Sequence, residues 1–193
     1  KTTGDQKALE IYHELLNHTL QITQNLSCKK CLYYSDFIDY QDIWPNEIYQ
    51  KSTQKLSNDL GIRMASAFKE IYDSGFENAA IIGSDCLALD AKTLEDTFTK
   101  LTNNQAVIGK VEDGGYYLLG LNFDKLEQKV EDVLEAVFLN KEWSHANVAN
   151  EALAAFEKLN LKYDLMPTLT DIDEYEDYIN HKKKHQVSEM DEK

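Results

Sequence analysis

The strongest constraint on how this chain folds is a rhythm of short, unbroken apolar runs set between helix-length amphipathic segments. Residues 79–83 (Ala-Ala-Ile-Ile-Gly), 106–109 (Ala-Val-Ile-Gly) and 116–121 (Tyr-Tyr-Leu-Leu-Gly-Leu) are such runs. Consecutive apolar positions, rather than alternating ones, fit strands covered on both faces, and 79–83 reads as a central parallel strand. Residues 31–34 read as another buried strand, 48–56 as a short one, and 161–166 as an edge strand before Pro167. Strands alternating with helices of about 10–15 residues imply βαβ units. The expected fold is therefore α/β, three layers deep (α/β/α), around a mostly parallel, Rossmann-like sheet. Such sheets bind ligands beyond the carboxyl ends of their strands, so the residues just after each run are the ones to weigh.

The helices have their own signals. Asp5 is placed to cap a helix running to about Asn25, with Leu9, Tyr12, Leu16 and Leu20 as its apolar stripe. Asn58 or Asp59 caps the next, with Met64, Ala67, Phe68 and Ile71 inward and Gly75 as its stop. Asp90 caps a helix to about Leu101, residues 131–139 are helical, and Ser144 caps a helix through Lys158. A last helix spans 173–185. Residues 1–185 form one domain, and the charged tail 186–193 is expected to be mobile.

Charge narrows the partners. The 193 residues carry a net charge of −14 and one arginine, Arg63. A field of that sign repels nucleic acid, and no apolar run reaches the ~18 residues of a membrane span. A small phosphate ligand remains compatible if a metal ion brings local positive charge. Three cysteines argue against a disulfide framework and, with no leader visible, for the cytoplasm. Cys28 and Cys31 have the spacing of a redox or zinc pair but no second pair to complete a zinc site.

Two segments are candidates for chemistry. In 81–86 (Ile-Ile-Gly-Ser-Asp-Cys) a buried strand ends at Gly83. Gly83 lets a ligand approach the backbone, with Ser84 beside it. Asp85 is then offered at the sheet edge, where a hard cation can bridge to a diphosphate. Asp90 already caps the following helix, so Asp85 is free for this role. In 110–117 (Lys-Val-Glu-Asp-Gly-Gly-Tyr-Tyr) two carboxylates precede two glycines and two aromatics. Glu112 and Asp113 can accept a proton or orient a hydroxyl. Gly114 and Gly115 leave room for a sugar, and Tyr116 can stack on it. The same residues read equally well as an Asp-Gly hairpin turn.

Arg63 can hold a phosphate or carboxylate, Trp143 can line a pocket, and His145 is a metal-ligand candidate. His13, His18, His181 and His185 sit on exposed helical positions and carry no assignment. Gly-x-Ser-x-Gly, Walker A, Gly-x-Gly-x-x-Gly and His-Glu-x-x-His motifs do not occur.

Taken in order, Asn-Asp-Leu-Gly-Ile-Arg-Met (58–64), Ile-Ile-Gly-Ser-Asp-Cys (81–86), Glu-Asp-Gly-Gly-Tyr-Tyr-Leu-Leu-Gly (112–120), Trp-Ser (143–144) and Asp-Ile-Asp-Glu-Tyr-Glu-Asp (171–177) resemble a known pattern. It belongs to a bacterial family of small glycosyltransferase-like proteins with the GT-A, nucleotide-diphospho-sugar transferase fold. Some members accompany radical-SAM enzymes. The resemblance implies that Asp85 stands where the superfamily places its metal-binding aspartate, and that Asp113 lies over the sugar or acceptor pocket. Leu87 stands where the family usually has proline, and His145 where it has threonine. The family's first hydrophobic strand and basic glycine loop have no counterpart here; residues 1–5 match the stretch just after them. That predicts open sheet edges, with low stability unless a partner chain compensates.

The expected activity is Mg²⁺- or Mn²⁺-dependent transfer of a sugar, or a related group, from a nucleotide-diphosphate donor to a small-molecule acceptor. A nucleotidyltransferase releasing pyrophosphate and a non-catalytic binding module are the alternatives. A homo-oligomer is compatible with each.

Overall fold

The computed structural model describes residues 4–191, the side chains of 185–191 excepted. Its strands are β1 (Lys30–Tyr34), β2 (Tyr49–Thr53), β3 (Asn78–Ile82), β4 (Ala106–Lys110), β5 (Tyr116–Asn122) and β6 (Tyr163–Leu165). Its helices are α1 (Asp5–Thr23), α2 (Leu60–Asp73), α3 (Ala91–Leu101), α4 (Phe123–Leu126), α5 (Val130–Phe138), α6 (Val148–Lys158) and α7 (Tyr175–Asp191). None of these helices is long and apolar enough to cross a membrane.

The larger sheet has the order β3-β5-β4-β6. β5 runs antiparallel to both neighbours and β6 parallel to β4, so β3, β4 and β6 share one direction. Helices flank this sheet on two faces. On one, Phe68 of α2, Val137 and Phe138 of α5 and Phe156 of α6 pack with Ile108, Leu119 and Leu121. On the other, Leu94 and Leu101 of α3 meet Val107 and Leu118. Successive side chains of a strand point to opposite faces, so one strand feeds both cores.

β1 and β2 form a separate parallel pair. Tyr33 of β1 lies near Glu70 of α2, the helix that also contacts β3. Yet β1 and β3 exchange no backbone hydrogen bonds. β3 is therefore an edge, and all five of its residues are only half-buried, in place of the fully covered central strand its sequence suggests. β1 is half-buried throughout for the same reason. An apolar run encodes the wish for cover, not the presence of a neighbour to provide it.

Local differences have local causes. Asp59 and Asp90 cap α2 and α3 as expected, accepting from Ile62 N at 3.2 Å and Thr93 N at 2.7 Å. Asp5 is the first helical residue of α1, and its N-cap is Gly4. α1 buries Ile11 and Leu15, not the stripe through Leu9 and Tyr12, which stay exposed. The helix carries two apolar stripes, and the one that finds Leu87 and Tyr178 wins. His18 is half-buried and lies 2.8 Å from the Leu89 carbonyl. Ser144 has φ 64° and caps nothing; α6 begins only at Val148. α7 continues past His185 to Asp191, and residues 192–193 of the expected tail lie outside the described ones.

Candidate active site

β3 ends at Ile82, and the chain leaves the sheet through Gly83, Ser84 and Asp85, all exposed. A Cβ on Gly83 would sit 2.5 Å from Asp85 Oδ1. The carboxylate thus folds back over bare backbone, which a larger residue would displace. Asp85 is in no helix cap.

The link from β4 to β5 is a tight hairpin. Val111 N donates to Gly115 O and Gly114 N to Val111 O, each at 3.1 Å. Gly114 takes φ 99°, where a side chain is strained. Asp113 Oδ1 accepts from Gly115 N at 3.0 Å, which fixes its carboxylate. The hairpin and the acidic turn are one object: the turn that reverses the chain also holds Asp113 and its exposed neighbour Glu112 at the sheet edge.

A third component joins them. After Pro167 the chain runs alongside the end of β4, with Leu169 N donating to Lys110 O at 3.0 Å and Glu112 N to Leu169 O at 3.1 Å. Tyr117 Oη holds the Pro167 carbonyl at 3.0 Å. The strap then crosses to the first loop, where Ile172 N donates to Asp85 O at 2.9 Å. Asp171 and Asp173 ride on it, one on each side of Ile172. One carboxylate oxygen from each of Asp113, Asp171 and Asp173 lies within 4.8 Å of the others. The sequence names this segment only within its family resemblance; the Asp-x-Asp alternation is the signal that two carboxylates act together.

The electrostatics register the crowding. Asp171 is pushed up to about 6, first by burial, then by the charges of Asp113 and Asp173, with Asp85 a smaller contributor. Asp173 is raised by burial and then by Asp113 and Asp85. Like charges this close disfavour ionisation unless a cation offsets them. Asp85 therefore stands at the rim of the cluster, not among its three members.

The other expected residues divide. Tyr116 lies edge-on to Trp143, ring centres 6.4 Å apart, and Trp143 stacks on Phe138 at 6.5 Å. These aromatics adjoin the Gly114–Gly115 turn. Gly114 packs so closely on the loop before α6 that a Cβ there would meet the Ala146 carbonyl oxygen at 1.9 Å. Arg63 is engaged at home: Nε donates to Ser57 O at 2.7 Å and an Nη to Gln54 Oε1 at 3.3 Å. It shapes the 54–59 loop. His145 accepts from Asn147 N at Nδ1, 3.2 Å, and reaches the Glu142 carbonyl through Nε2 at 3.2 Å. Both ring nitrogens are engaged, and His145 is not in the carboxylate cluster. Cys28 and Cys31 are free and half-buried, and burial raises both thiols, which suppresses the reactive thiolate.

Solved structures share the fold. The fold superposes on a candidate nucleotide-diphospho-sugar transferase from Desulfovibrio desulfuricans with TM-score 0.75 and 24% identity, over 89% of this chain and 72% of the other. A 4-diphosphocytidyl-2C-methyl-D-erythritol synthase from Anaerococcus prevotii gives 0.58 at 12% identity, over 89% and 86%. A cytidylyltransferase from Leptospira borgpetersenii gives 0.52 at 15% identity, over 85% and 72%. Identities this low establish architecture alone: a mixed α/β fold like that of these nucleotide-diphospho-sugar transferase-like neighbours. No curated protein matches the sequence. Residues 19–145 match the model of DUF2064, described as an uncharacterized protein conserved in bacteria, and the chain belongs to that family.

Proposed function

We propose that the protein transfers a sugar, or a related group, from a nucleotide-diphosphate donor to an acceptor. The carboxylate cluster would hold a divalent cation, whose charge would offset that of the donor's diphosphate. One observation carries this reading: three carboxylates gathered within 4.8 Å at the sheet edge where such folds take their ligands. An all-oxygen set suits Mg²⁺ or Mn²⁺. Asp113, Asp171 and Asp173 would hold the ion, with Asp85 at its rim. When bound, the ion neutralises charge building on the leaving diphosphate.

The chain's own residues do the rest. Gly83 and Ser84 present bare backbone to the diphosphate. Gly114, expected to make room for a sugar, instead has that place filled by the Ala146 carbonyl and serves the turn; Gly115, beside the Asp113 carboxylate, faces the transferred group, and Tyr116 and Trp143 wall it. With Asp113 engaged as a ligand, its exposed neighbour Glu112 takes the proton of the attacking hydroxyl.

Calorimetry with Mn²⁺ tests the assignment. Asp171→Asn should weaken Mn²⁺ binding about tenfold or more, since it removes one charged ligand. An unchanged affinity would sink the metal site. Nucleotidyl transfer is the second reading, favoured by solved relatives named for cytidyl chemistry. Release of pyrophosphate from a nucleoside triphosphate would select it. A non-catalytic module is the third, selected if no nucleotide binds even with Mn²⁺.

A further inference from the structure

The loop between α5 and α6 carries a lysine that the reaction above does not use. Lys141 keeps only 11% of its side-chain exposure. Its nearest carboxylate, Glu151, is 3.6 Å away, long for a charge-assisted hydrogen bond. His145 Nε2 lies 3.6 Å from the same carboxylate. The ammonium sits 5.1 Å from the centre of the Trp143 ring, and burial pulls its pKa down. An ammonium has three hydrogens to place. One distant carboxylate and a ring face leave hydrogens of a largely covered ammonium open to solvent or to a ligand.

Lys141 also borders usable space. It lines an open cavity of about 600 Å³ with Asp59, Ile62, Leu139, Asn140 and Glu142. Neither acid there answers the lysine: Asp59 caps α2 through Ile62 N, and Glu142 is exposed. The loop is tied to the carboxylate site. Ala146 of the loop packs on Gly114, Ala149 N in the first turn of α6 donates to Gly114 O at 2.9 Å, and Trp143, under the ammonium, abuts Tyr116, the residue after Gly115.

We propose that Lys141 anchors an anionic group, a phosphate or a carboxylate, on the acceptor, bound in the cavity it lines beside Trp143. Assigning that group to the acceptor rests on the transfer reaction proposed above, in which the donor's diphosphate goes to the cation.

The chain has two tryptophans, Trp44 and Trp143, so the indole N–H resonances give a probe and an internal control. Inorganic phosphate and acetate are titrated separately at constant ionic strength. The Trp143 resonance should shift saturably while that of Trp44 stays still. Lys141→Met should weaken the response about tenfold or more, the loss of a charge-assisted hydrogen bond, and Lys141→Arg should keep it. A response to phosphate alone assigns a phosphorylated acceptor, and one to acetate alone a carboxylate. Glu151→Gln, which leaves the lysine in place and removes its competitor, should tighten binding; this variant decides the matter if Lys141→Met does not fold. No saturable shift in the parent, a shift that survives Lys141→Met, or no tightening in Glu151→Gln overturns the proposal. Mn²⁺ broadening of the amide resonances of residues 113–115 is read in the same samples. Broadening with a silent Trp143 defeats this inference alone, whereas absent broadening defeats the metal reading.

Discussion

The β4–β5 hairpin and the β1–β2 pair are made of strands of similar length, yet they sit in different surroundings. Val107, Ile108, Leu118, Leu119 and Leu121 have no exposed surface; every residue of β1 is half-exposed. The hairpin has helices on both faces and strands on both sides, β3 beyond β5 and β6 beyond β4. β1 has one pairing partner. β3 makes the point within a single sheet: its Ala-Ala-Ile-Ile is as apolar as β4, but as an edge strand it stays half-buried along its whole length. Cover in the plane of a sheet matters as much as cover from the layers above and below.

The largest test of this contrast is a pair of truncations. Leu119→Ala in β5 should cost about 3 kcal/mol, within the range for fully buried leucines, whereas Leu32→Ala in β1 should cost about 1 kcal/mol or less. Urea unfolding followed by circular dichroism measures both. Equal costs would mean that β1 is buried in solution by something that the paired strands described here do not provide.

This contrast also separates what was legible in the sequence from what was not. Caps at Asp59 and Asp90 and the runs of β4 and β5 are local matters, decided by residues a few positions apart, and they read correctly. Strand direction is not local: the Tyr116 run looks the same whether it returns by a crossover or by a hairpin, and only the Gly114 turn favours the antiparallel answer. α1 offers two apolar stripes, and the choice rests on Leu87 and Tyr178, far away in sequence. The carboxylate site was half legible for the same reason. Asp85 and Asp113 stand after apolar runs where the sheet edge must be. Asp171 and Asp173 precede a helix and look like first-turn charges until the strap from Pro167 to Ile172 places them across the edge.

A second, smaller test compares two glycines with positive φ. Gly114, in the hairpin, has φ 99° and the Ala146 carbonyl where a Cβ would go; Gly75, after α2, has φ 82° and nothing within 4 Å. Gly75→Ala should cost about 1 kcal/mol, the conformational penalty alone. Gly114→Ala adds a backbone clash and should cost about 2–3 kcal/mol, and it should weaken Mn²⁺ binding because the turn carries Asp113. Thermal melts and metal titrations on both variants check this. If Gly114→Ala were no worse than Gly75→Ala, the hairpin would not be the rigid mount for the site.

The smallest effect lies at the site itself and depends on pH. Asp171 titrates near 6 in the folded protein, above the value of about 3.9 for an unfolded aspartate. The folded state therefore holds its proton more tightly than the unfolded one, and that preference adds stability below pH ~4 that is lost as pH rises through ~6. Because Asp171 is only partly buried, solvent screening reduces the effect to about 1 kcal/mol or less, a fall of about 2–4 °C in the melting temperature between pH 4.5 and 7. Asp171→Asn should flatten this slope. Saturating Mn²⁺ at pH 7 should reverse it, since a cation among the carboxylates favours their charged forms. A parent melting curve with no slope across that window, or one that Mn²⁺ leaves unchanged while Asp171→Asn still flattens it, would mean that the carboxylates crowd one another without holding an ion.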